Sequence, residues 1–141
     1  MKMKYLGLFA MFLILATSVQ PICATHQTKI YISDHDGNYQ KQYNLNYTVE
    51  KFKATLYDVS TTTEVDTLGL RYLDFYVFEV TPDGSDIIPY YHTQKLTNIH
   101  GTATTPNISF KSGDYILLVR YGGNKLWKLS PSNSTVKIHV N

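Results

Sequence analysis

Cysteine is almost absent from this chain of 141 residues, and the one cysteine, Cys23, lies close to the N-terminus. The residues around it have the layout of a secretory signal peptide: a charged start, an apolar run over Tyr5–Ala16 and a more polar end. We predict that residues 1–24 are this signal and that cleavage follows Ala24. The remaining 117 residues contain no cysteine. Disulfide bonds are then excluded, and stability has to come from a packed core.

Net charge is absent from the exported part as well. Loss of Lys2 and Lys4 with the signal leaves eleven basic and eleven acidic side chains. A neutral chain without a basic run gives no electrostatic reason to expect nucleic acid as a partner. The apolar run of the signal is short for the ~20 residues of a membrane span. We therefore expect membrane contact only through an uncleaved signal, and an exported, extracellular or cell-envelope location.

Catalytic and nucleotide-binding motifs are also missing. The sequence contains no G-x-S-x-G, H-E-x-x-H, G-x-G-x-x-G, P-loop or metal-spaced Cys/His pattern. Outside such settings a histidine is most often a solvated surface residue, and we interpret all five histidines in this way. They are His26, His35, His92, His100 and His139. The sequence therefore predicts a protein that is not an enzyme and that needs no cofactor.

What the sequence does contain is Tyr, Thr, Val, Ile and Phe in short runs that alternate apolar and polar residues. Gly, Pro, Asn and Asp separate these runs, and no segment after residue 24 has a helical period. The spacing predicts an all-β fold, an immunoglobulin-like antiparallel β-sandwich of about seven to nine strands. We assign residues 25–47 to an N-terminal strand and extension, and residues 48–141 to the sandwich.

The strongest strand signal is Phe110–Tyr121, in which a turn leads directly into alternating apolar residues. Gly113 stands two positions before Tyr115, which opens the strand. This spacing is typical of a tyrosine corner, in which a buried phenol hydrogen-bonds to the backbone a few residues upstream. We predict that the hydroxyl of Tyr115 reaches the backbone around Lys111–Ser112.

Two further strands carry positional information. Arg71–Val80 is apolar on both of its faces, which predicts a central strand or one that is covered on its outer side. Ile87–Leu96 contains Pro89, which cannot donate to a β-ladder. That second segment is therefore predicted to be an edge strand or a broken strand.

A resemblance to a known family rests on turn and core positions in the second half. These positions are Thr97–Gly101, Ala103, Phe110-x-x-Gly113-x-Tyr115, Tyr121–Asn124 and the final V-x-I-x-V. The pattern resembles bacterial and archaeal immunoglobulin-like domains, above all the repeats of adhesin-like surface proteins of methanogenic archaea. The similarity covers roughly Val49–Val140. It implies an immunoglobulin-like fold and a surface role without catalysis.

Aromatic side chains are the candidate ligand-binding residues. Tyr90, Tyr91 and Trp127, with Tyr121 beside them, could stack on sugar rings if they are exposed. The alternative is that the tyrosines cover sheet edges and that Trp127 packs into the core, and for Trp127 we favour the core.

Two other patterns point to metal binding and to modification. Asp34-x-Asp36 resembles the first half of a calcium loop, but Leu45 stands where that loop needs a glutamate, and Asp-Gly is an ordinary turn. Three glycosylation sequons begin at Asn46, Asn107 and Asn133, and we expect Asn133 to lie in a loop.

Taken as a whole, the sequence predicts a secreted or cell-surface, adhesin-like interaction module whose partner is a surface protein or a polysaccharide. One alternative is a small carbohydrate-binding module, for which a coplanar row of exposed aromatic rings would be evidence. Another is a structural cell-envelope subunit that assembles through its edge strands. A large exposed apolar patch would instead favour a protein partner.

Overall fold

The computed structural model describes residues 26–60 and 66–141, so the predicted signal peptide lies outside the described residues. The described part is all-β and forms eleven strands, of which three contain only two residues. The strands are β1 Thr28–Asp34, β2 Gln42–Leu45, β3 Val49–Glu50, β4 Phe52–Asp58, β5 Asp66–Thr67, β6 Tyr72–Val80, β7 Ile87–Leu96, β8 Thr102–Thr104, β9 Ile108–Ser109, β10 Gly113–Tyr121 and β11 Ser132–Val140. Within these same ranges, no helix has the length and apolarity needed to cross a membrane.

The strands form two main sheets. In the first, β1 pairs with one edge of β4, and both β5 and β8 pair with the other. The second has the order β2-β11-β10-β6-β7, and β3 and β9 make a separate short pair. Strands β1, β4 and β8 correspond to A, B and E of an immunoglobulin sandwich, and β6, β10 and β11 to C, F and G. The predicted immunoglobulin-like β-sandwich is confirmed.

One pair of strands departs from the antiparallel arrangement. Strand β2 runs parallel to β11, with Tyr43 opposite Ile138. The chain leaves the first sheet after β1, adds β2 to the edge of the second sheet and returns to the first for β4. Alternation of apolar residues tells which side of a strand is buried, but it does not tell the direction of the neighbouring strand.

The core lies between the two sheets and consists of the apolar residues that alternate with polar ones along each strand. The most deeply buried apolar side chains of the central strands are Phe52, Ala54 and Leu56 on β4, Leu73, Phe75 and Val77 on β6, and Leu117 and Val119 on β10. Ile30 and Ile32 of β1 and Tyr43 of β2 are buried with them, so the segment before residue 48 is part of the same core. Strand β6 is central, as predicted, because it lies between β10 and β7.

Tyr115 lies at the beginning of β10 and is 1% exposed. Its hydroxyl donates a hydrogen bond to the Lys111 carbonyl at 2.9 Å and accepts one from the Lys111 N–H at 3.1 Å. The ring packs edge-on against Phe110 and Tyr90, with centroid distances of 5.0 Å in both cases. This is the hydrogen-bonding geometry of a tyrosine corner.

Strand β7 forms an edge of the second sheet and is interrupted. Pro89 lies opposite Phe78 and Tyr91 lies opposite Val77, so Tyr90 is an extra residue that forms a β-bulge. At a sheet edge the missing N–H of Pro89 costs little, which explains why the strand tolerates it. The segment is therefore both an edge strand and a broken one.

Candidate functional site

Six of the eleven large apolar side chains that are exposed in the described residues lie at one end of the sandwich. Antiparallel pairing brings the end of β7, the start of β6 and the end of β10 together there. We call these six side chains the loop-end surface: Leu70, Tyr72, Leu96, Ile99, Leu126 and Trp127. A concentration of exposed apolar residues at one place on a small domain indicates a binding surface.

Backbone and side-chain contacts join the three segments that carry this surface. Tyr72 of β6 lies directly opposite Leu96 of β7. The Leu70 N–H donates to the Thr97 carbonyl at 3.2 Å, which ties the start of β6 to the turn after β7. The Arg71 guanidinium carbon lies 6.0 Å from the centre of the Trp127 ring, within the range of a cation–π contact.

Trp127 lies in a tight turn between β10 and β11. Asn124 and Leu129 exchange backbone hydrogen bonds of 3.0 and 2.8 Å. The Asn124 side-chain oxygen accepts a hydrogen bond from the backbone N–H of Trp127 at 3.1 Å. The turn presents Leu126, which is 83% exposed, and Trp127, which is 60% exposed. The core position that we favoured for Trp127 is therefore wrong, because a turn residue has no inner sheet face on which to pack.

Backbone strain is found at the same end of the molecule. Leu70, with a φ of 56°, and Lys128, with a φ of 54°, are the non-glycine residues of the described chain that have a positive φ. A left-handed conformation costs a residue with a side chain about 1–2 kcal/mol. Such strain is common in binding and catalytic loops, where surrounding contacts maintain it.

The second apolar surface is the outer face of the five-stranded sheet. We call it the aromatic sheet face and define it by Tyr76, Phe78 and Val80 of β6 with Ile116 and Leu118 of β10. Phe78 lies opposite Ile116, and Tyr76 lies opposite Leu118, so the side chains form cross-strand pairs. The outer face of an antiparallel sandwich is normally polar. Four of these side chains are half-buried, and Leu118 is buried at 2% exposed.

Aromatic rings on this face are nearly parallel. The His92 and Tyr76 rings lie 4.4 Å apart with an interplanar angle of 12°. The Tyr76 and Phe78 rings lie 6.4 Å apart at 14°. The outer side of β6, which the sequence predicted to be apolar, thus carries two aligned rings, and the His92 ring of β7 continues their row.

The three residues that the sequence put forward for stacking lie in different places. Tyr90 packs against the core near Tyr115, and its hydroxyl donates to the Ser109 carbonyl at 2.6 Å. Tyr91 lies opposite the buried Val77 and also packs against the core. Trp127 is at the other end of β10. The structure does not bring these three side chains together, and Tyr121 beside them is 3% exposed.

Asp34, the first residue of the calcium-like pattern, binds the backbone of its own turn. Its carboxylate accepts hydrogen bonds from the N–H groups of Asp36 and Asn38 and from the Asn38 side chain, at 2.8 to 3.0 Å. Burial raises the pKa of Asp34, but these hydrogen bonds outweigh burial and hold the pKa below its ordinary value. In the part of the chain that is described, no group of three or more His, Cys, Asp or Glu side chains could hold a metal ion.

The sequon asparagines differ in exposure. Asn46 and Asn107 are exposed and lie outside the strands. Asn133 is half-buried in β11, opposite Arg120, so its expected loop position is wrong. The strand begins directly after Pro131, so the polar residues 132–135, which resemble a loop in sequence, are its first four residues.

Four of the five histidines, which we interpreted as solvated, are about half exposed and contact carboxylates. The pairs are His26–Asp58, His35–Glu50, His92–Asp74 and His139–Asp114. The closest is His139–Asp114, at 2.6 Å, and this hydrogen bond raises the pKa of His139. His92 lies 3.4 Å from Asp74 on the aromatic sheet face.

One Ser-His-Asp cluster escaped the sequence reasoning, because its members are up to 34 residues apart. His26 Nδ1 lies 3.0 Å from the Asp58 carboxylate and 3.2 Å from Ser60 Oγ, and Ser60 also donates to Asp58. In a catalytic triad the serine and the carboxylate bind opposite nitrogens of the ring. Here both share Nδ1, and the serine proton is directed to the carboxylate instead of the histidine.

We therefore expect this cluster to be catalytically silent. The exported chain and its Ser60→Ala variant should hydrolyse an activated ester such as p-nitrophenyl acetate at the same background rate, measured by release of the phenol. A rate that falls at least about a hundredfold on substitution would reveal an activated nucleophile and would contradict the prediction.

Comparison with known proteins gives distant structural neighbours. No protein-family model and no curated protein sequence matches the chain. The CARDB domain of a Pyrococcus furiosus protein, crystallised with di-metal ions, has a TM-score of 0.42 at 9% identity over 83% of this chain and 90% of that one. A superoxide reductase (neelaredoxin) from Ignicoccus hospitalis has a TM-score of 0.37 at 12% identity over 84% of this chain and 82% of that one. The immunoglobulin-like assignment rests on strand order and not on these neighbours.

Proposed function

We propose that this protein is a secreted or cell-surface immunoglobulin-like interaction module, adhesin-like and without catalytic activity. We further propose that its aromatic sheet face binds a protein of the cell surface. The observation that carries this proposal is the apolar outer face of the central strand β6. That face places Tyr76, Phe78 and Val80 beside Ile116 and Leu118 where a sandwich normally has polar residues.

The chemistry of this face favours a protein over the two alternatives. Val80 and Ile116, which are half-buried, add aliphatic area, which packs against a protein but offers no ring for a sugar to stack on. The aligned rings of His92, Tyr76 and Phe78 are the one feature that supports the carbohydrate-binding alternative. Assembly through edge strands finds less support, because Pro89 and the adjacent bulge interrupt the ladder of β7.

The test uses the exported chain and cells in which its own gene has been deleted. Labelled protein should bind these cells saturably. The Phe78→Ser variant should bind at least about tenfold more weakly, as is typical for loss of a central aromatic contact. Gln94→Ser is the matched control, because Gln94 lies on the same sheet face outside the apolar residues. Binding isotherms are measured by flow cytometry, with denaturant midpoints to verify that each variant is folded.

Treatment of the cells identifies the kind of partner. Binding that is lost after protease digestion of the cells and kept after periodate oxidation supports a protein partner. Loss after periodate alone would move the assignment to the carbohydrate-binding alternative. Equal affinities for the parent and Phe78→Ser would refute a role for the aromatic sheet face.

A further inference from the structure

We infer that the loop-end surface docks onto a lipid membrane whose surface carries anionic head groups. This inference goes beyond the proposed function and concerns the other apolar surface of the molecule. It assigns the module a second contact, in which one end of the sandwich rests on lipid.

The first argument is how far the apolar side chains project. Leu126 is 83% exposed and Ile99 is 74% exposed, and each stands on a separate turn. These side chains form protrusions rather than the walls of a pocket. A rigid partner needs a matching cavity for each protrusion, whereas the disordered head-group and acyl region of a bilayer adapts to them.

The second argument is charge. The three segments that carry the loop-end surface are 70–72, 96–101 and 122–131, and they contain Arg71, Lys125 and Lys128 but no Asp or Glu. Lys125 and Lys128 are exposed and directly flank Leu126 and Trp127. None of the three cations forms an ion pair with a carboxylate of the described residues. Cations beside the apolar side chains of the loop-end surface complement an anionic lipid surface.

Among the described residues, Asp74 stands two positions after Tyr72 on β6, and two further acidic residues near this end belong to the other sheet. Asp58 ends β4, where His26 contacts it at 3.0 Å, and Asp66 begins β5. Both stand outside the three segments that carry the apolar side chains.

The third argument is the position of the single tryptophan. Tryptophan is enriched where a protein meets the membrane interface, because its ring is apolar and its N–H is polar. The chain contains one tryptophan, Trp127, and it lies on the exposed turn between the two lysines. The Arg71 guanidinium over the Trp127 ring adds a third positive charge beside it.

The single tryptophan makes the inference directly measurable. The exported chain, with its N-terminus checked by mass spectrometry, is titrated with vesicles of phosphatidylcholine that contain about a third phosphatidylglycerol. Trp127 emission should shift to shorter wavelength, and lipids brominated on the acyl chains should quench it. Vesicles of phosphatidylcholine alone should bind at least about tenfold more weakly.

Variants distinguish binding through the loop-end surface from non-specific adsorption to lipid. Lys125→Glu with Lys128→Glu should weaken binding at least about thirtyfold, and Leu126→Ser about tenfold. The matched control is Lys41→Glu with Lys111→Glu, which makes the same change of net charge at exposed positions outside the loop end and should bind like the parent. The variants at Lys125, Lys128 and Leu126 should keep the parent's denaturant midpoint, because the replaced side chains are exposed.

Three results would overturn the inference. The first is absence of a spectral shift at a large excess of anionic lipid and low salt. The second is equal loss of binding in the control and tip charge variants, and the third is binding without quenching by brominated lipid. Because no protein or polysaccharide is present in this assay, its outcome is independent of the cell-binding test.

Discussion

Tyr115→Ala should lower the free energy of unfolding of the exported chain by about 3–5 kcal/mol, the range for loss of a large buried aromatic side chain. The ring is almost completely buried and contacts Phe110 and Tyr90 edge-on, so its removal leaves a cavity. The loss should appear as a lower denaturant midpoint in equilibrium unfolding monitored by circular dichroism.

Tyr115→Phe is the matched variant, because it keeps the ring and removes only the hydroxyl. Both backbone groups of Lys111 then lose their partner, which should cost about 1–3 kcal/mol. Both variants should bind cells like the parent at a temperature at which they are folded, since Tyr115 lies on neither proposed surface. A Tyr115→Phe variant as stable as the parent would show that the hydrogen bonds of the tyrosine corner contribute nothing to the free energy of unfolding.

Gly101→Ala should destabilise the protein by about 2–4 kcal/mol, through backbone strain and overpacking together. Gly101 has a φ of +78°, which disfavours any residue with a side chain. A Cβ atom at this position would lie 2.9 Å from the Leu68 nitrogen and 3.1 Å from the Leu56 carbonyl oxygen. These are backbone atoms of the neighbouring strand and loop, so they cannot move away as a flexible side chain would.

Gly84→Ala provides the control for strain alone. Gly84 has a similar φ of +68°, but a Cβ atom there would meet nothing within 4 Å. We expect a cost of about 1 kcal/mol, from the left-handed conformation only. Denaturant midpoints of the two variants are compared directly. Equal losses of stability would mean that the backbone around Gly101 moves aside without cost and that overpacking does not destabilise the Gly101→Ala variant.

The two candidate surfaces could be predicted from the sequence to different degrees. Both faces of β6 read as apolar, so an unusual outer face at Tyr76 and Phe78 was visible before the structure. The loop-end surface was not, because Leu70, Ile99 and Leu126 are far apart in sequence and look like ordinary turn residues. A short sequence signal did exist in Lys125-Leu126-Trp127-Lys128, where apolar residues stand between two lysines in a turn.

What the sequence determined by itself is the part of the fold that depends on near neighbours. Alternation decided which side chains face inward, because successive residues of a strand point to opposite sides. The corner of Tyr115 is equally local, since its hydroxyl bonds to Lys111 only four positions before it. The edge position of β7 followed from Pro89, which has no N–H to donate.

Tertiary structure alone decided which distant segments meet. The parallel pairing of β2 with β11, the Ser-His-Asp cluster at His26 and the gathering of six apolar side chains at one end all depend on strand order. Local periodicity holds no information on strand order, because many orders bury the same inward faces. The strand order is set by closure of the whole core between the two sheets. That closure leaves Trp127 outside the core.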